Sequence, residues 1–447
     1  MRRYCKNVDI TDITFIKNCI RLWMQHKKSR RDVRRFLSEY SSCSYAEICI
    51  MLDAEDYRFL DETIEKIALD VQDRIRRREL NLPPIWFKRS YDQVCGKWRV
   101  IGVQKPIHQI FDYVAVEACK PMFMAKIGPY QMASIPGRGQ DAGARVIHRW
   151  LVQDVPHTRY YGQMDIRKCY PSIPHDRIKA MFARDIKNDT LLWLIFELID
   201  AFPEGLSIGS YFSQFACNYY LSKAWHYATE ELYKIRKKKN GEVERVRLVH
   251  HVLFFMDDIL FLGSSEKDLR RGMELFSDFT MRKLGLQIKP GWILRKVDYI
   301  GKDGKHHGNF IDIMGRRIYR DHVAIRRRTY KRIRRTILRA KVHVDSERPM
   351  PLHLARRVVS YGGHYDHTDS QNAQMKYNVP KIRHEASEIV SAHEKAEAEK
   401  KRRLRDVYRE SELAERAKRD RDRFDSRKRS ERGLDPEKYP EGNRAPF

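Results

Sequence analysis

The stretch Val252-Leu-Phe-Phe-Met-Asp-Asp-Ile-Leu-Phe-Leu-Gly263 decides how this chain folds. Two apolar runs flank Met256-Asp257-Asp258, and this pattern predicts a hairpin with both strand faces buried and two carboxylates at its turn. Aspartate is common in solvated turns, so the stretch alone also allows an ordinary turn. Adjacent carboxylates beside a buried sheet need a cation, however, and the apolar flanks therefore favour a metal site.

A third carboxylate stands about ninety residues upstream. Tyr160-Tyr-Gly-Gln-Met-Asp165 has the pattern of a strand that ends at the aspartate, and the chain then turns through Pro171 into a helix near Pro174. An aspartate at a strand end, followed later by an Asp-Asp hairpin, is the arrangement of ligands expected for a site that binds two metal ions. Two Mg²⁺ ions held in this way, with Mn²⁺ as an alternative, can activate a 3′-hydroxyl and stabilise a leaving pyrophosphate.

Between these carboxylates lies Glu204-Gly-Leu-Ser-Ile-Gly-Ser-Tyr-Phe-Ser-Gln-Phe-Ala-Cys-Asn-Tyr-Tyr-Leu221. Its glycines, Gly205 and Gly209, allow the backbone to approach a ligand closely. Small residues then open what we expect to be an amphipathic helix. Taken alone, the segment is equally typical of a simple junction between a loop and a helix.

The charge balance points to a polyanionic partner. The 447 residues include 88 Lys and Arg against 60 Asp and Glu, a formal charge of +28. Nucleic acid is the first candidate and an anionic membrane surface the second. Because 42% of the residues are hydrophobic, the chain is expected to be mostly folded rather than a basic tail.

The same composition predicts a cytoplasmic location. No run approaches about 18 apolar residues, so a bilayer span is not expected, and the first residues lack the apolar segment of a secretion signal. The eight cysteines are scattered without a CxxC pair. That distribution fits a reducing compartment and argues against a disulfide framework or a structural zinc site.

Different parts of the chain have different patterns. Ile64, Ile67, Ala68, Val71 and Ile75 form one helical stripe, which Asn81-Leu-Pro-Pro follows and ends. Residues 85–155 are expected to mix short strands with glycine-rich turns. Residues 160–291 are expected to alternate strands and helices, and residues 297–319 to form short strands.

Two later segments are strongly charged. Residues 324–342 contain nine Lys or Arg and no acid, with Ile325, Ile333, Ile337 and Leu338 spaced to pack one helical face. A cationic helix of this kind needs a polyanion. From residue 381 the chain carries 20 basic and 16 acidic residues and is expected to be a long helix or a disordered arm. Most of the excess positive charge therefore lies on the folded body.

Taken in order, these motifs resemble those of the reverse transcriptases. Asp165 with Tyr170 resembles the first palm motif, GLSIGSYFSQ (205–214) the second, FMDD (255–258) the third and LGLQIKPGW (284–292) the fourth. GKWRVI (96–101) and SIPGRGQ (134–140) resemble the fingers motifs, and SYGGHYDHTDS (360–370) resembles the start of a thumb motif in bacterial enzymes. The resemblance covers roughly residues 85–370.

The resemblance implies an α+β, right-hand polymerase fold. Its parts would be fingers, a palm with an RRM-like antiparallel sheet and a helical thumb, followed by a charged helical or disordered C-terminal tail. The expected boundaries are a helical N-terminal extension at 1–84, fingers at 85–164, palm at 165–318, thumb at 319–380 and tail at 381–447.

Within the family, the chain is most similar to bacterial and prophage enzymes of the diversity-generating retroelement type, with group II intron-like palm motifs. Ile208-Gly-Ser-Tyr-Phe-Ser-Gln214 matches the second motif of that group, where most reverse transcriptases have glutamine before the glycine. Two residues depart from the pattern, since Ser207 stands where proline is usual and Phe255 replaces tyrosine before the Asp pair. These departures keep a phage-defence reverse transcriptase open.

The resemblance also implies roles for the nucleotide site. Asp165, Asp257 and Asp258 would be the catalytic metal ligands. Tyr170 would exclude the 2′-hydroxyl of an rNTP, and Ile208 with Gly209 would line the nucleotide, Ile208 without the hydrogen bonds of a glutamine. Three cations would meet the triphosphate or protonate the pyrophosphate: Lys97, Arg99 and Lys289. Each of the three cations could equally be a solvated surface residue, and Tyr170 and Ile208 could be simple core residues.

Nucleic-acid contacts are implied at two places. Arg138 would meet template phosphate at the PGRGQ turn, although an ordinary turn is nearly as consistent with the sequence. In the thumb, the expected phosphate contacts form a set that we call the basic stripe: Arg327, Arg328, Lys331 and Arg335. His250 and His251 are expected to pack or hydrogen-bond rather than to ligate a metal.

The resulting functional hypothesis is an RNA-directed DNA polymerase, error-prone, of a diversity-generating retroelement or prophage. Its partners would be an RNA template, an RNA or DNA primer and dNTPs. A small basic accessory protein is a further candidate partner, and no interaction with a membrane is expected. One alternative is a phage-defence reverse transcriptase. Another, of a different class, is a catalytically silent RNA-binding maturase or chaperone, against which the intact aspartates argue.

Overall fold

The computed structural model describes residues 3–92 and 96–431. Within these ranges the chain forms two compact units. The larger unit contains the chain up to residue 27 together with residues 64–390. The smaller unit combines residues 28–63 with the described chain from residue 391 onward. Residues 432–447 of the expected tail lie outside the described residues.

Helices and strands alternate along the described chain. The helices are α1 (Ile13–Met24), α2 (Arg31–Tyr40), α3 (Tyr45–Asp53), α4 (Leu60–Arg77), α5 (Pro106–Lys126), α6 (Gln140–Gln153), α7 (His175–Asp185), α8 (Asp189–Asp200), α9 (Tyr211–Glu230), α10 (Glu266–Phe279), α11 (Arg327–Asp345), α12 (Leu352–Asp366), α13 (Gln371–Lys376) and α14 (Val379–Glu431). The strands are β1 (Trp86–Asp92), β2 (Lys97–Val103), β3 (Tyr160–Asp165), β4 (Tyr233–Lys237), β5 (Val243–Arg247), β6 (His251–Phe255), β7 (Asp258–Gly263), β8 (Ile293–Lys296), β9 (Tyr299–Ile300), β10 (His306–His307), β11 (Ile311–Ile313), β12 (Arg316–Ile318) and β13 (Val323–Ile325).

The helical stripe predicted near the N-terminus is confirmed in α4. All five apolar residues of the stripe, from Ile64 to Ile75, are buried. The helix ends at Arg77, and Arg78 follows with a φ of 57°. A positive φ interrupts the helical hydrogen-bond ladder, so the chain leaves the helix before the prolines that the sequence predicts as its end.

The expectation for residues 85–155 is half right. β1 and β2 form the antiparallel fingers hairpin, with Trp86 opposite Val103 and Tyr91 opposite Trp98. The remainder is mainly helical rather than strand and turn, because α5 and α6 occupy most of it. α5 is buried over most of its length, so it lacks the polar face whose periodicity would have revealed a helix.

The palm sheet has the strand order β6-β7-β3-β8, and every pairing in it is antiparallel. This confirms the expected antiparallel palm sheet. The apolar runs around the Asp pair form β6 and β7, whose central residues are buried, as the sequence predicts. Asp165, the last residue of β3, lies opposite Asp258, the first residue of β7.

Helices cover both faces of this sheet. On one face, Leu253 and Leu260 pack with Ile147 and Leu151 of α6 and with the β11–β13 sheet. On the other face, Phe276 of α10 contacts the rings of Phe254 and Phe261 edge-on. α9 is buried on nearly all sides, so the expected amphipathic helix is wrong in character although right in position.

A helical bundle follows the palm in sequence. α11 begins at Arg327, and its Ile333 and Ile337 are fully buried, as predicted for the packed face. They pack against α12 and the start of α14, where Val358 and Ile382 are also buried. The cationic side chains of α11 are left on the opposite, exposed face.

In the smaller unit, α2 packs against α3, and Arg34 forms an ion pair with Asp53. Arg405, on the charged C-terminal helix, lies 3.7 Å from the carboxylate of Glu55. The tail therefore contacts the segment around Glu55, more than three hundred residues earlier in the chain. The sequence pattern does not predict this contact. Among the described residues, none of the helices combines the length and apolar character that crossing a membrane requires.

Candidate active site

The turn between β6 and β7 carries two of the three predicted aspartates. Phe255 and Asp258 pair across the hairpin, so Met256 and Asp257 form its two-residue turn. Met256 is buried and has a φ of 54°. Side chains seldom adopt this left-handed region, and such strain costs on the order of 1–3 kcal/mol. The surrounding sheet maintains a backbone that places Asp257 at the tip.

The third aspartate reaches the same place from the neighbouring strand. Asp165 pairs with Asp258 at the end of the ladder, and the next residue, Ile166, donates its backbone N–H to the Asp257 carbonyl oxygen at 3.0 Å. The structure thus brings all three predicted metal ligands to one edge of the palm sheet. This is a consequence of the register, since a slip of one residue would turn Asp165 to the other face.

The electrostatics of this cluster favour a bound cation. Removal from solvent and the nearby Asp165 carboxylate raise the pKa of Asp257. Removal from solvent and the charges of Asp257 and Asp165 raise the pKa of Asp258 to about 6. Carboxylates that repel one another in a partly desolvated site are the oxygen ligands that Mg²⁺ and Mn²⁺ prefer. The residues present therefore fit the divalent ions that the sequence implies.

Lys289 lies directly on this cluster. Its Nζ is 2.5 Å from Asp165 Oδ1, and its backbone N–H donates to the Asp165 carbonyl oxygen at 2.8 Å. The side chain is 43% exposed, so it stays accessible from the cleft. Lys289, one of the three predicted phosphate-facing cations, thus contacts a predicted metal-ligating carboxylate.

Tyr170 sits beneath the hairpin turn. Its hydroxyl lies 3.9 Å from Met256 Sδ, and burial raises the pKa of the phenol well above its ordinary value. Its carbonyl oxygen accepts the Leu206 N–H at 2.9 Å. A side chain at Gly205 would collide with that same oxygen, so glycine is required where the two loops meet.

The second motif also attaches to the fingers hairpin. The Gly102 N–H is shared between the Ile208 carbonyl oxygen and the Ser207 hydroxyl, each 3.0 Å away. At Gly209, where φ is 111°, a Cβ atom would lie 2.8 Å from the Gly102 oxygen. Ile208 is half-buried, and its loop is bonded to the Tyr170 loop through the Leu206 N–H and to β2 through the Gly102 N–H. The loop that carries it is therefore held from both sides.

Lys97 and Arg99 are exposed on one face of β2. Burial raises the pKa of Asp257, and the positive charge of Arg99 opposes that increase. The guanidinium of Arg99 therefore lies near the carboxylates. At the hairpin turn, a guanidinium nitrogen of Arg328 lies 2.7 Å from the position of a Cβ on Gly96. The start of α11 thus borders the same cleft as the fingers hairpin.

The four cations of the basic stripe are all exposed on α11. Arg328, Lys331 and Arg335 follow one another at three- and four-residue spacing and Arg327 lies four residues before Lys331, so the set lies on one side of the helix. The structure therefore brings this set together as a single surface.

Arg138 has a structural role in this fold. Its Nη1 donates to the carbonyl oxygens of Gly128 and Gln131 at 2.6 and 2.9 Å, and burial lowers its pKa. The predicted contact of Arg138 with template phosphate stays a prediction. His251 Nε2 donates to Asp154 Oδ2 at 2.7 Å, and its ring stacks on Trp150, which confirms the predicted packing and hydrogen-bonding role.

Two features of the site escaped the sequence analysis. Asp112 of α5 is buried and accepts hydrogen bonds from Ser210 Oγ at 2.7 Å and from the Phe212 N–H at 3.4 Å, so it helps to cap the N-terminus of α9. Arg326 forms an ion pair with Asp312. Its positive charge also lowers the pKa of Asp258, which burial raises. Neither residue belongs to a local motif, because their partners are distant in sequence.

Residues 87–293 match the family model described as reverse transcriptase (RNA-dependent DNA polymerase). This segment is therefore similar to reverse transcriptase domains. The predicted fold class is confirmed, and the match supports the predicted enzyme class. The activity of the whole chain, its subtype and the roles of individual residues stay predictions. A comparison with curated proteins finds no match.

Three solved telomerase structures from Candida tropicalis are similar to this chain. The apo telomerase aligns with 11% identity and a TM-score of 0.36, covering 55% of this chain and 46% of that one. The form truncated from the C-terminal domain aligns with 12% identity and a TM-score of 0.35, covering 61% and 68%. The complex with a TWJ fragment of telomeric RNA has 12% identity and a TM-score of 0.35, covering 63% and 55%. The alignment thus spans about half the length of the apo telomerase chain.

Proposed function

We propose that this chain copies RNA into DNA by extending a primer with dNTPs at the cluster of Asp165, Asp257 and Asp258. The observation that carries the proposal is the convergence of these three carboxylates at one sheet edge, with raised pKa values for Asp257 and Asp258. Two divalent ions, Mg²⁺ or Mn²⁺, would supply activation of the 3′-hydroxyl and stabilisation of the pyrophosphate when bound.

The surrounding side chains suit the remaining tasks. The Nζ of Lys289 lies beside Asp165, where it can act as the proton donor to the leaving pyrophosphate. Arg99 presents a guanidinium that can form paired hydrogen bonds to a phosphate. Tyr170 is packed beneath the turn, where its ring would exclude the 2′-hydroxyl of an rNTP.

Template and primer would lie against the basic stripe. Its exposed cations form one surface on a helix whose other face is buried in the bundle. Such a surface contacts phosphates without reading bases, so it suits an RNA–DNA duplex of any sequence.

The biological setting that we propose is a diversity-generating retroelement or prophage. Ile208 supports it, because an aliphatic side chain at that position removes a directed polar check on the nascent pair. A phage-defence enzyme would share the same catalytic apparatus. Sequencing of cDNA made on co-purified RNA separates the two, since errors concentrated opposite template adenine support diversification and uniformly accurate copying contradicts it.

The test of the catalytic proposal is primer extension on a defined RNA with dNTPs and Mg²⁺. Asp257→Ala should abolish incorporation and leave RNA binding nearly unchanged, because affinity comes from the separate basic surface. Asp189→Ala, which removes an exposed carboxylate from α8, is the matched control and should extend the primer normally. Robust synthesis by Asp257→Ala would contradict the assignment and favour the silent RNA-binding alternative.

A further inference from the structure

Outside the polymerase site, the described residues contain a cluster of metal-ligating side chains: His306, Asp321 and His322. One ligand atom from each lies within 4.8 Å of the others. His306 belongs to β10, and Asp321 and His322 lie in the turn between β12 and β13. Segments separated by about fifteen residues are thus brought together by the fold.

The spacing of these atoms is that of ligands around one ion. His306 Nε2 lies 3.5 Å from Asp321 Oδ2, which is long for a hydrogen bond between them. Two ligands bound to one tetrahedral zinc at about 2.0–2.2 Å lie about 3.3–3.6 Å apart. His322 Nδ1 lies 2.8 Å from Asp321 Oδ1 and is therefore close enough to complete the set after a small side-chain rotation.

A buried carboxylate orients the first of these ligands. Asp298 is 3% exposed, and its Oδ1 pairs with His306 Nδ1 at 2.9 Å. The other oxygen, Oδ2, accepts the Arg320 N–H at 3.2 Å. A carboxylate on one imidazole nitrogen fixes the ring and leaves the other nitrogen for the metal, as in carboxylate–histidine–zinc sites. Here the fixed ring directs Nε2 at Asp321.

We propose that His306, Asp321 and His322 bind a divalent transition-metal ion of the zinc class, with Asp298 as the orienting partner of His306. Two imidazoles and one carboxylate suit Zn²⁺, Co²⁺ or Ni²⁺, whereas Mg²⁺ and Ca²⁺ prefer oxygen ligands alone. Three protein ligands leave one position for water. The scattered cysteines argue only against a thiolate site, so they do not bear on this one.

The position of the cluster suggests what the ion would do. Asp298 follows β8, the edge strand of the palm sheet, and Asp321 lies a few residues before α11. An ion at this point would join the β9–β10 hairpin to the turn that leads into the basic helix. It would therefore stabilise the connection between the palm and the helical bundle rather than take part in catalysis.

The test is zinc binding by the full chain without a histidine tag, measured by competition with a chromophoric chelator after EDTA treatment. Every protein carries Asp257→Asn, so that zinc at the polymerase carboxylates does not enter the count. One zinc per chain is expected. His306→Ala should lower the affinity at least a hundredfold, Asp298→Asn should lower it about 10- to 100-fold, and His353→Ala, an exposed histidine on α12, should not change it.

Co²⁺ substitution provides a second measurement, because a tetrahedral site with nitrogen ligands gives visible d–d absorption that His322→Ala should remove. Circular dichroism in EDTA checks that the variants fold, and His322→Ala replaces His306→Ala if the latter does not. Absence of zinc from the parent chain would overturn the proposal. Equal zinc affinity in parent, His306→Ala and His322→Ala would also overturn it. Neither result depends on polymerase activity.

Discussion

Asp112→Asn tests whether a buried carboxyl anchors the second motif. Asp112, in α5, is 1% exposed. Burial raises its pKa to about 7, although the hydrogen bonds that it accepts from Ser210 and Phe212 lower the pKa in part. Gln104 Nε2 also donates to it at 3.3 Å. Asparagine has the same shape and keeps one acceptor oxygen, but it has no charge to bury.

The size of the effect follows from linkage. The folded pKa of about 7 lies about 3 units above the ordinary value of 3.8, and each unit corresponds to about 1.4 kcal/mol. Because the folded state favours the protonated form, this stabilising contribution is present below about pH 4 and is lost as the pH rises through about 7. The variant should therefore gain about 4 kcal/mol relative to the wild type between pH 4 and pH 8. Altered hydrogen bonds add an offset of about 1–3 kcal/mol that does not vary with pH.

Urea unfolding followed by tryptophan fluorescence measures this difference. All seven tryptophans lie outside residues 28–63 and 391–447, so the signal comes from the larger unit alone. Asp189→Asn, at an exposed position of α8, controls for the loss of one negative charge. A difference between Asp112→Asn and wild type that stays constant from pH 5 to pH 8 would refute the reasoning, because it would mean that Asp112 is ionised throughout.

Three further predictions concern the polymerase site. In competition assays with dNTPs, Tyr170→Ala should incorporate rNTPs, whereas Tyr170→Phe, which keeps the ring, should reject them. If both variants reject rNTPs equally, Tyr170 only packs in the core and does not select the sugar. Ile208→Gln should lower errors opposite template adenine about five- to thirtyfold, the equivalent of about 1–2 kcal/mol, as measured by deep sequencing of cDNA; an unchanged error spectrum would count against a diversity-generating enzyme. Replacing the basic stripe with glutamines should flatten the slope of log affinity against log salt by about 0.7–0.9 per lost phosphate contact, and an unchanged slope would place the duplex elsewhere.

The sequence predicts that Asp165, Asp257 and Asp258 come together because its signals are local. Asp165 ends a strand, and Asp257 sits between two apolar runs, so short-range pattern and motif order suffice to pair them. The antiparallel register then follows from burial of both flanks. The buried face of α11 is predicted for a similar reason, since Ile333 and Ile337 repeat at helical spacing.

Features that depend on distant partners were not predictable in this way. Arg138 stands in a turn typical of phosphate contacts, yet its guanidinium is used by the carbonyl oxygens of Gly128 and Gln131. The helix α5 lacks an exposed polar face, so its periodicity is hidden. The cluster at His306 and Asp321 has no spacing motif at all, because a hairpin and a turn bring its ligands together only after folding.

Ser207 stands where the related motif usually has proline, and it holds the position of this loop by a hydrogen bond instead of by a restricted backbone. A proline at this position would restrict the backbone but would offer no side-chain acceptor. The serine hydroxyl instead accepts the Gly102 N–H at 3.0 Å, beside the bond that the same N–H makes to the Ile208 carbonyl oxygen. Gly102 and Arg99 lie on the same strand, β2. We therefore expect a movement of β2 to displace the Ile208 loop with it, which would link the predicted triphosphate contact of Arg99 to the predicted contact of Ile208 with the nascent pair.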